Sequence, residues 1–289
     1  PSPVPPTGQP MTRLILCADD YGIAPGVSRA IARLLAAGRL SATSCMSLGL
    51  AWPAHAPALR PLTGTADIGL HLTLTDHAPL GSMPDLAPGG TLPGVGPLLV
   101  QALTGRLNRA EIAAELGRQL DAFEAALGRP PDFLDGHQHV HQFPIIRDLV
   151  IELWQRRLAG SRPWMRVCVE PFGATLRRGL DAPKAWLITA LGRSLRRRAR
   201  KAGVPVNDRF AGIHDFSGRM PYATLFERFV RNPGDGTLLV MCHPGEVDAE
   251  LVTADPVTTA REEELRFFES AAFPELLARH GLDLGGLRR

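Results

Sequence analysis

The 289-residue sequence is poor in features that mark secreted, membrane-spanning or nucleic-acid-binding proteins. Cysteine occurs four times, at Cys17, Cys45, Cys168 and Cys242, with no CxxC spacing. Three of the four lie in apolar, strand-like runs, where a free thiol packs as a small hydrophobe, which argues against a disulfide framework and for a reducing, cytoplasmic compartment. No apolar run approaches the roughly 20 residues a spanning helix needs, so contact with a membrane is expected at most at its surface. The net charge of +3 is too small to indicate a nucleic-acid partner. The opening Pro1-Ser2-Pro3-Val4-Pro5-Pro6 lacks the basic start and apolar middle of a secretory signal. Residues 1–11 are expected to be a disordered, proline-rich tail, and 12–289 a single domain.

Four short apolar runs each end in chemistry-bearing residues. Leu14 to Ala18 stops at Asp19-Asp20; Ile68-Gly69-Leu70 delivers His71. Phe133-Leu134 leads into Asp135-Gly136-His137-Gln138-His139-Val140-His141, and Leu238 to Cys242 ends at His243-Pro244-Gly245. Such runs, bounded by turn formers, read as buried strands of a parallel sheet, whose strand ends gather the chemistry. Further strands are expected at 44–48, 69–74 and 165–169. Helices are expected after the first strand from Pro25 to a stop at Gly38, from a capping box at Asn108 and Glu111 to Gly128, and over 144–159, 183–202, 221–231, 259–270 and 273–280. The alternation implies an α/β fold with a mostly parallel sheet. Residues 77–98, dense in Pro and Gly, are expected to form a long loop on the surface or over the site.

Asp19 and Asp20 are neighbours in a strand and should point to opposite faces, one suited to a cation and the other to a proton; a helix cap or turn would also use such a pair. His137, His139 and His141, two apart, would project to one side of an extended strand beside Asp135. Imidazoles so clustered repel one another when protonated, and a metal keeps them neutral. One carboxylate and several imidazoles suit Zn²⁺, with Mg²⁺ the alternative if water completes the shell. Not all three need be ligands: ligand, orienter and substrate contact is a common division.

The segments Ala18-Asp19-Asp20-Tyr21-Gly22, Gly69-Leu70-His71-Leu72-Thr73-Leu74 and Leu134 to His141 resemble, in order and spacing, the YdjC-like carbohydrate deacetylases, which include chitooligosaccharide deacetylase. That resemblance implies an irregular (β/α) barrel and one divalent metal held by Asp20, His71 and His137, with Asp19 as general base and His243 as acid. It leaves Asp135, His139, His141, Tyr21 and Arg219 as substrate contacts or supports. Tyr21 stands where the family usually has Phe. Phe210 to Ile213 and Ser217-Gly218-Arg219-Met220 are most similar to the hopanoid-biosynthesis (HpnK-type) branch, which implies an N-acetylglucosaminyl hopanoid such as that of bacteriohopanetetrol as substrate.

Three other readings compete: a chitooligosaccharide deacetylase, a histidinol-phosphatase-type metallophosphoesterase with two or three metals, and a sugar- or lipid-binding module with a structural metal. The densest charge run, Arg193 to Lys201, follows Leu187, Leu191 and Leu195 at four-residue steps. Residues 184–203 therefore suit either an anionic membrane surface or a helix packed on the barrel. No aromatic residue interleaves the arginines, which disfavours nucleic acid.

Overall fold

Leu14 to Tyr21 is buried along its whole length, because in the computed structural model it lies inside a parallel sheet covered on both faces. The structure describes residues 12–170, 182–231 and 236–287; the proline-rich segment 1–11 lies outside the described residues. The strands are β1 (Thr12–Tyr21), β2 (Ala42–Cys45), β3 (Asp67–Leu72), β4 (Phe133–Gly136), β5 (Trp164–Met165), β6 (Arg209–Ala211), β7 (Thr237–Cys242) and β8 (Leu282–Leu284). Seven run in the order β5-β4-β3-β2-β1-β7-β6, all parallel. β8 pairs with Thr12 to Leu14, below the point where β2 takes up the same edge of β1 at Cys17.

The sheet curls until its edges meet. Met165 bridges Val206 in parallel and its N–H donates to the Pro205 carbonyl at 2.8 Å. The Asn207 side chain then substitutes for a ladder, accepting from the Val167 N–H (2.8 Å) and donating to the Val167 carbonyl (3.0 Å). This is the irregular (β/α) barrel, with its seam at Asn207.

Helices wrap the sheet: α1 (Pro25–Ala36), α2 (Trp52–His55), α3 (Val95–Leu103), α4 (Arg109–Leu127), α5 (Ile146–Leu153), α6 (Ala182–Lys201), α7 (Tyr222–Val230), α8 (Ala249–Ala254), α9 (Thr259–Glu269) and α10 (Ala272–Arg279). Most expected helices are present within a residue or two. Asn108 caps α4 as expected, its Oδ1 accepting from the N–H groups of Ala110 (3.0 Å) and Glu111 (3.3 Å). The reciprocal half of the capping box is absent. Glu111 instead accepts from the N–H groups of Asp85 and Leu86, and Glu115 from that of Leu80, so two acids of α4 pin the expected loop to the barrel. That loop ends early, since 95–103 form α3, and its Met83, Leu86 and Leu92 are buried.

Gly69 lies where β3 packs on the Phe133 ring: a Cβ there would stand 2.4 Å from two ring atoms. That ring is itself stacked on Trp164 at 4.3 Å, so it cannot yield. Gly69→Ala is expected to cost about 1–3 kcal/mol by overpacking, read as a lower urea midpoint; an unchanged midpoint would contradict the packing.

Candidate active site

The expected residues assemble at the carboxyl ends of the strands, as parallel α/β folds arrange their sites. Asp19 and Asp20 end β1, His71 is near the end of β3, His137 follows β4 and His243 follows β7. All five line one cavity of about 610 Å³.

Adjacent carboxylates reach the same cavity because β1 is irregular there. The pairing register with β2 slips between Ala18 and Tyr21, and Asp20 has a left-handed backbone, φ 67°. The alternation expected for a regular strand is therefore broken, and the two side chains share the cavity with different partners. Asp20 Oδ1 is 3.0 Å from His137 Nδ1 and 3.3 Å from His71 Nε2. Asp20 Oδ2 accepts from Arg261 at 2.7 Å. Asp19 takes a fork of two Arg166 hydrogen bonds, 2.6 and 2.7 Å.

The three residues Asp20, His71 and His137 offer ligand atoms that lie within 4.8 Å of one another. Ligands about 2.0–2.1 Å from a tetrahedral ion stand about 3.3 Å apart, which the 3.0 and 3.3 Å separations match. His71 Nδ1 is engaged by Asp135 Oδ1 at 2.7 Å, which fixes the ring with Nε2 turned to Asp20, the carboxylate–histidine support typical of metal ligands. Donor set and geometry fit one divalent ion with a direction left open to the cavity. A second cluster, Cys17, Asp19 and Asp135, does not fit an ion, since the Arg166 guanidinium fills it, 3.0 Å from Cys17 Sγ and 2.7 Å from Asp135 Oδ2.

The expected single-sided display of His137, His139 and His141 is not formed. β4 stops at Gly136, and Gln138 and His139 both adopt left-handed backbones (φ 51° and 62°) in a tight helical turn. The three rings therefore diverge. His137 goes to Asp20, His139 Nδ1 sits 3.4 Å from Cys168 Sγ, and His141 Nε2 lies 3.0 Å from the Arg166 carbonyl. Only His137 and His139 line the cavity, and His141 braces the arginine that holds Asp19. Tyr21 and Arg219 are not brought to the cavity. The Tyr21 hydroxyl donates to the His55 carbonyl at 2.7 Å, and Arg219 is exposed on the loop before α7. His243 Nε2 stands 4.0 Å from Asp19 Oδ2, and the His243 N–H is held by Glu264 at 2.6 Å.

The sequence model of the family described as YdjC-like protein matches residues 13–279. The chain belongs to that family. A chitooligosaccharide deacetylase of Yersinia pestis (strain Pestoides F) is 29% identical over 274 residues, covering 94% of this chain and 96% of the relative. The same figures hold for the enzyme of that description from Yersinia pseudotuberculosis serotype O:1b (strain IP 31758). A solved structure from Enterococcus faecalis V583, provisionally described as a cellobiose-phosphate cleavage protein, superposes with a TM-score of 0.73 at 19% identity, covering 96% of this chain and 98% of that one. That likeness speaks to the fold.

In this YdjC-like protein the site is an anionic cluster balanced by buried cations. Burial by itself would raise the Asp20 carboxyl, but Arg261 and His137 hold it well below the usual carboxylate range. Asp135 is likewise lowered against its burial, by Arg166 and His71. Burial would lower His71, yet Asp135 and Asp20 push it up to about 10. His139 and His141 are kept neutral, chiefly by burial, with His141 down to about 4. Without a metal, His71 thus carries the proton that completes the charge balance. Its stabilising contribution is full below the unfolded value of about 6.5 and is lost as pH rises through about 10. A divalent metal bound through His71 would displace that proton, so metal affinity is expected to rise by about tenfold per pH unit above neutrality. Competition titrations at several pH values check this, and a flat profile would contradict it.

Five site residues were not foreseen. His77 and His214 line the cavity, Arg166 and Arg261 hold the two aspartates, and Glu264 holds His243. Arg166 had a readable signal, a lone charge inside the apolar run Met165 to Val169. The others come from loops and helices with no strand-end pattern.

Proposed function

We propose that the chain is a metal-dependent N-deacetylase that hydrolyses the acetamide of an N-acetylated amino sugar carried on an apolar aglycone, with an N-acetylglucosaminyl hopanoid as the leading candidate. The observation that carries it is the convergence of Asp20, His71 and His137 beside an arginine-held Asp19 in one cavity. The bound ion would be Zn²⁺ by donor type, supplying Lewis-acid polarisation of the acetyl carbonyl and a lowered pKa for the attacking water.

Asp19 accepts the proton of that water, and the Arg166 fork fixes the plane of its carboxylate. His243 delivers a proton to the departing amine. Burial lowers its pKa even with Asp20 and Asp19 nearby, so a proton placed there is readily given up. Acetate and a free amine result.

The apolar walls favour a lipid-linked sugar over a chitooligosaccharide. Leu99 of α3, Leu187, Ile188 and Leu191 of α6, and Ile213 and Phe216 beyond β6 all face the cavity. A two- or three-metal phosphoesterase is disfavoured, because the second acidic cluster is filled by Arg166. A closed structural metal is disfavoured because the group offers three ligand residues among those described, where a closed tetrahedral shell needs four.

The test is mass spectrometry of N-acetylglucosaminyl bacteriohopanetetrol and of diacetylchitobiose incubated with the Zn²⁺-loaded protein. Loss of one acetyl from the first at a higher kcat/KM supports the reading. Faster turnover of the second would make it a chitooligosaccharide deacetylase, and turnover of neither would remove the deacetylase.

A further inference from the structure

Two helices contribute residues to the cavity lining, and both turn apolar side chains outward. On α3, Leu98 and Ala102 are buried while Val100 and Leu103 are 57% and 61% exposed. Val100 and Leu103 stand one turn beyond Gly96 and Leu99, which line the cavity, so the apolar lining continues onto the outer surface. α3 has no charged residue. On α6 the Leu187, Leu191, Leu195 stripe divides: Leu195 is fully buried in the core, Leu191 lines the cavity, and Leu187 is 48% exposed at the mouth. Its C-terminal half packs on the barrel, as one of the two expectations had it, and its N-terminal half contributes to the cavity wall.

A solvated surface helix turns polar residues outward; here α3 does the reverse. α6 adds seven Lys and Arg residues and no Asp or Glu. Arg198 pairs with Asp148 at 3.1 Å and Arg196 donates to the Asp208 carbonyl, while Arg193, Arg197, Arg200 and Lys201 are exposed. An uncharged apolar rim beside an acid-free cationic helix complements an anionic lipid surface in both apolarity and charge.

We propose that the α3–α6 rim docks on an anionic phospholipid bilayer, with the cavity mouth facing the lipid. Val100, Leu103 and Leu187 enter the headgroup boundary, and the α6 cations meet lipid phosphates. The apolar part of the substrate then passes from the bilayer along Leu99 and Leu191, a clause that rests on the deacetylase reading above.

The test is co-sedimentation of the full chain with phosphatidylglycerol-containing and pure phosphatidylcholine vesicles, at low and moderate salt. The wild type is expected to pellet with the anionic vesicles and to release with salt. Val100→Glu/Leu103→Glu and, separately, Arg197→Glu/Arg200→Glu are expected to bind about 10-fold more weakly or worse, with circular dichroism and hydrolysis of a soluble acetylated amino sugar unchanged. Absence of wild-type binding, or equal binding by both variants, overturns the proposal. So does a wild-type dimer that Val100→Glu/Leu103→Glu dissociates, which would make the rim an interface between copies. Vesicle binding without any deacetylation would sink the catalytic reading and leave the docking intact.

Discussion

Asp19→Asn is expected to lower kcat by about 10²–10⁴-fold, the usual worth of a positioned general base, while one equivalent of metal stays bound. The exchange is isosteric and Asp19 is outside the ligand set, so Asp20, His71 and His137 keep their places. What changes is basicity. A carboxylate held by two hydrogen bonds from Arg166 still has lone pairs that can take a water proton, whereas the neutral amide oxygen accepts hydrogen bonds but is too weakly basic to be protonated. The variant also leaves the buried Arg166 with one carboxylate in place of two, since Asp135 remains 2.7 Å away. Some loss of stability should therefore accompany the loss of rate. The two effects separate cleanly: metal analysis and far-ultraviolet circular dichroism report the folded, loaded state, and kcat reports the base. Wild-type kcat in the metal-loaded variant would remove Asp19 from the reaction.

The site's outline was legible because parallel strands impose it. An apolar run buried on both faces must end before a loop, and polar residues placed there face the same rim as those of every other strand. Asp19, Asp20, His71, His137 and His243 were readable on that ground. The strand period misled at two points, both where the backbone leaves the period. At Asp20 a slipped register and a left-handed φ put neighbours in one cavity, and after Gly136 two left-handed residues turned an expected strand into a tight turn. Gln138 is not a residue type that announces such a conformation and His139 signals it only weakly, and the strain is sustained by the packing around them. Gln138 is tied to Asp76 at 2.9 Å, and His139 packs edge-on against Phe210.

Long-range partners were illegible for a different reason. Arg166 lies 147 residues from Asp19, and Arg261 lies 241 from Asp20. Nothing local in either segment names its partner, although a lone arginine in a buried strand signals that one exists. α3 was hidden by its neighbours: Pro93, Gly94, Gly96 and Pro97 read as loop, yet proline and glycine in a first helical turn are compatible with a helix that then runs through Leu98 to Leu103.

Removing a ligand should have the largest effect of all, and a graded series shows why. Asp20→Ala and His71→Ala are each expected to lose the metal and at least about 10³-fold in turnover, since several kcal/mol of charge stabilisation leaves with it. Asp135→Asn should lie between these and the wild type, with metal affinity about 10–100-fold weaker, because Asp135 orients His71 through Nδ1 without belonging to the ligand set. Asp20→Ala carries one complication. Arg261 would keep Asp255 at 2.7 Å but lose its second carboxylate, so instability could mimic loss of metal. Asp20→Asn resolves this by retaining an acceptor for Arg261 while removing the ligand charge, and it should fold normally, bind metal weakly and turn over poorly. If the ligands were misassigned, metal content after dialysis would be equal in Asp20→Asn, His71→Ala and the wild type. If His71 were only a packed core histidine, the alanine variant would unfold more readily yet keep its metal; the 3.3 Å approach of its Nε2 to Asp20 favours the opposite result.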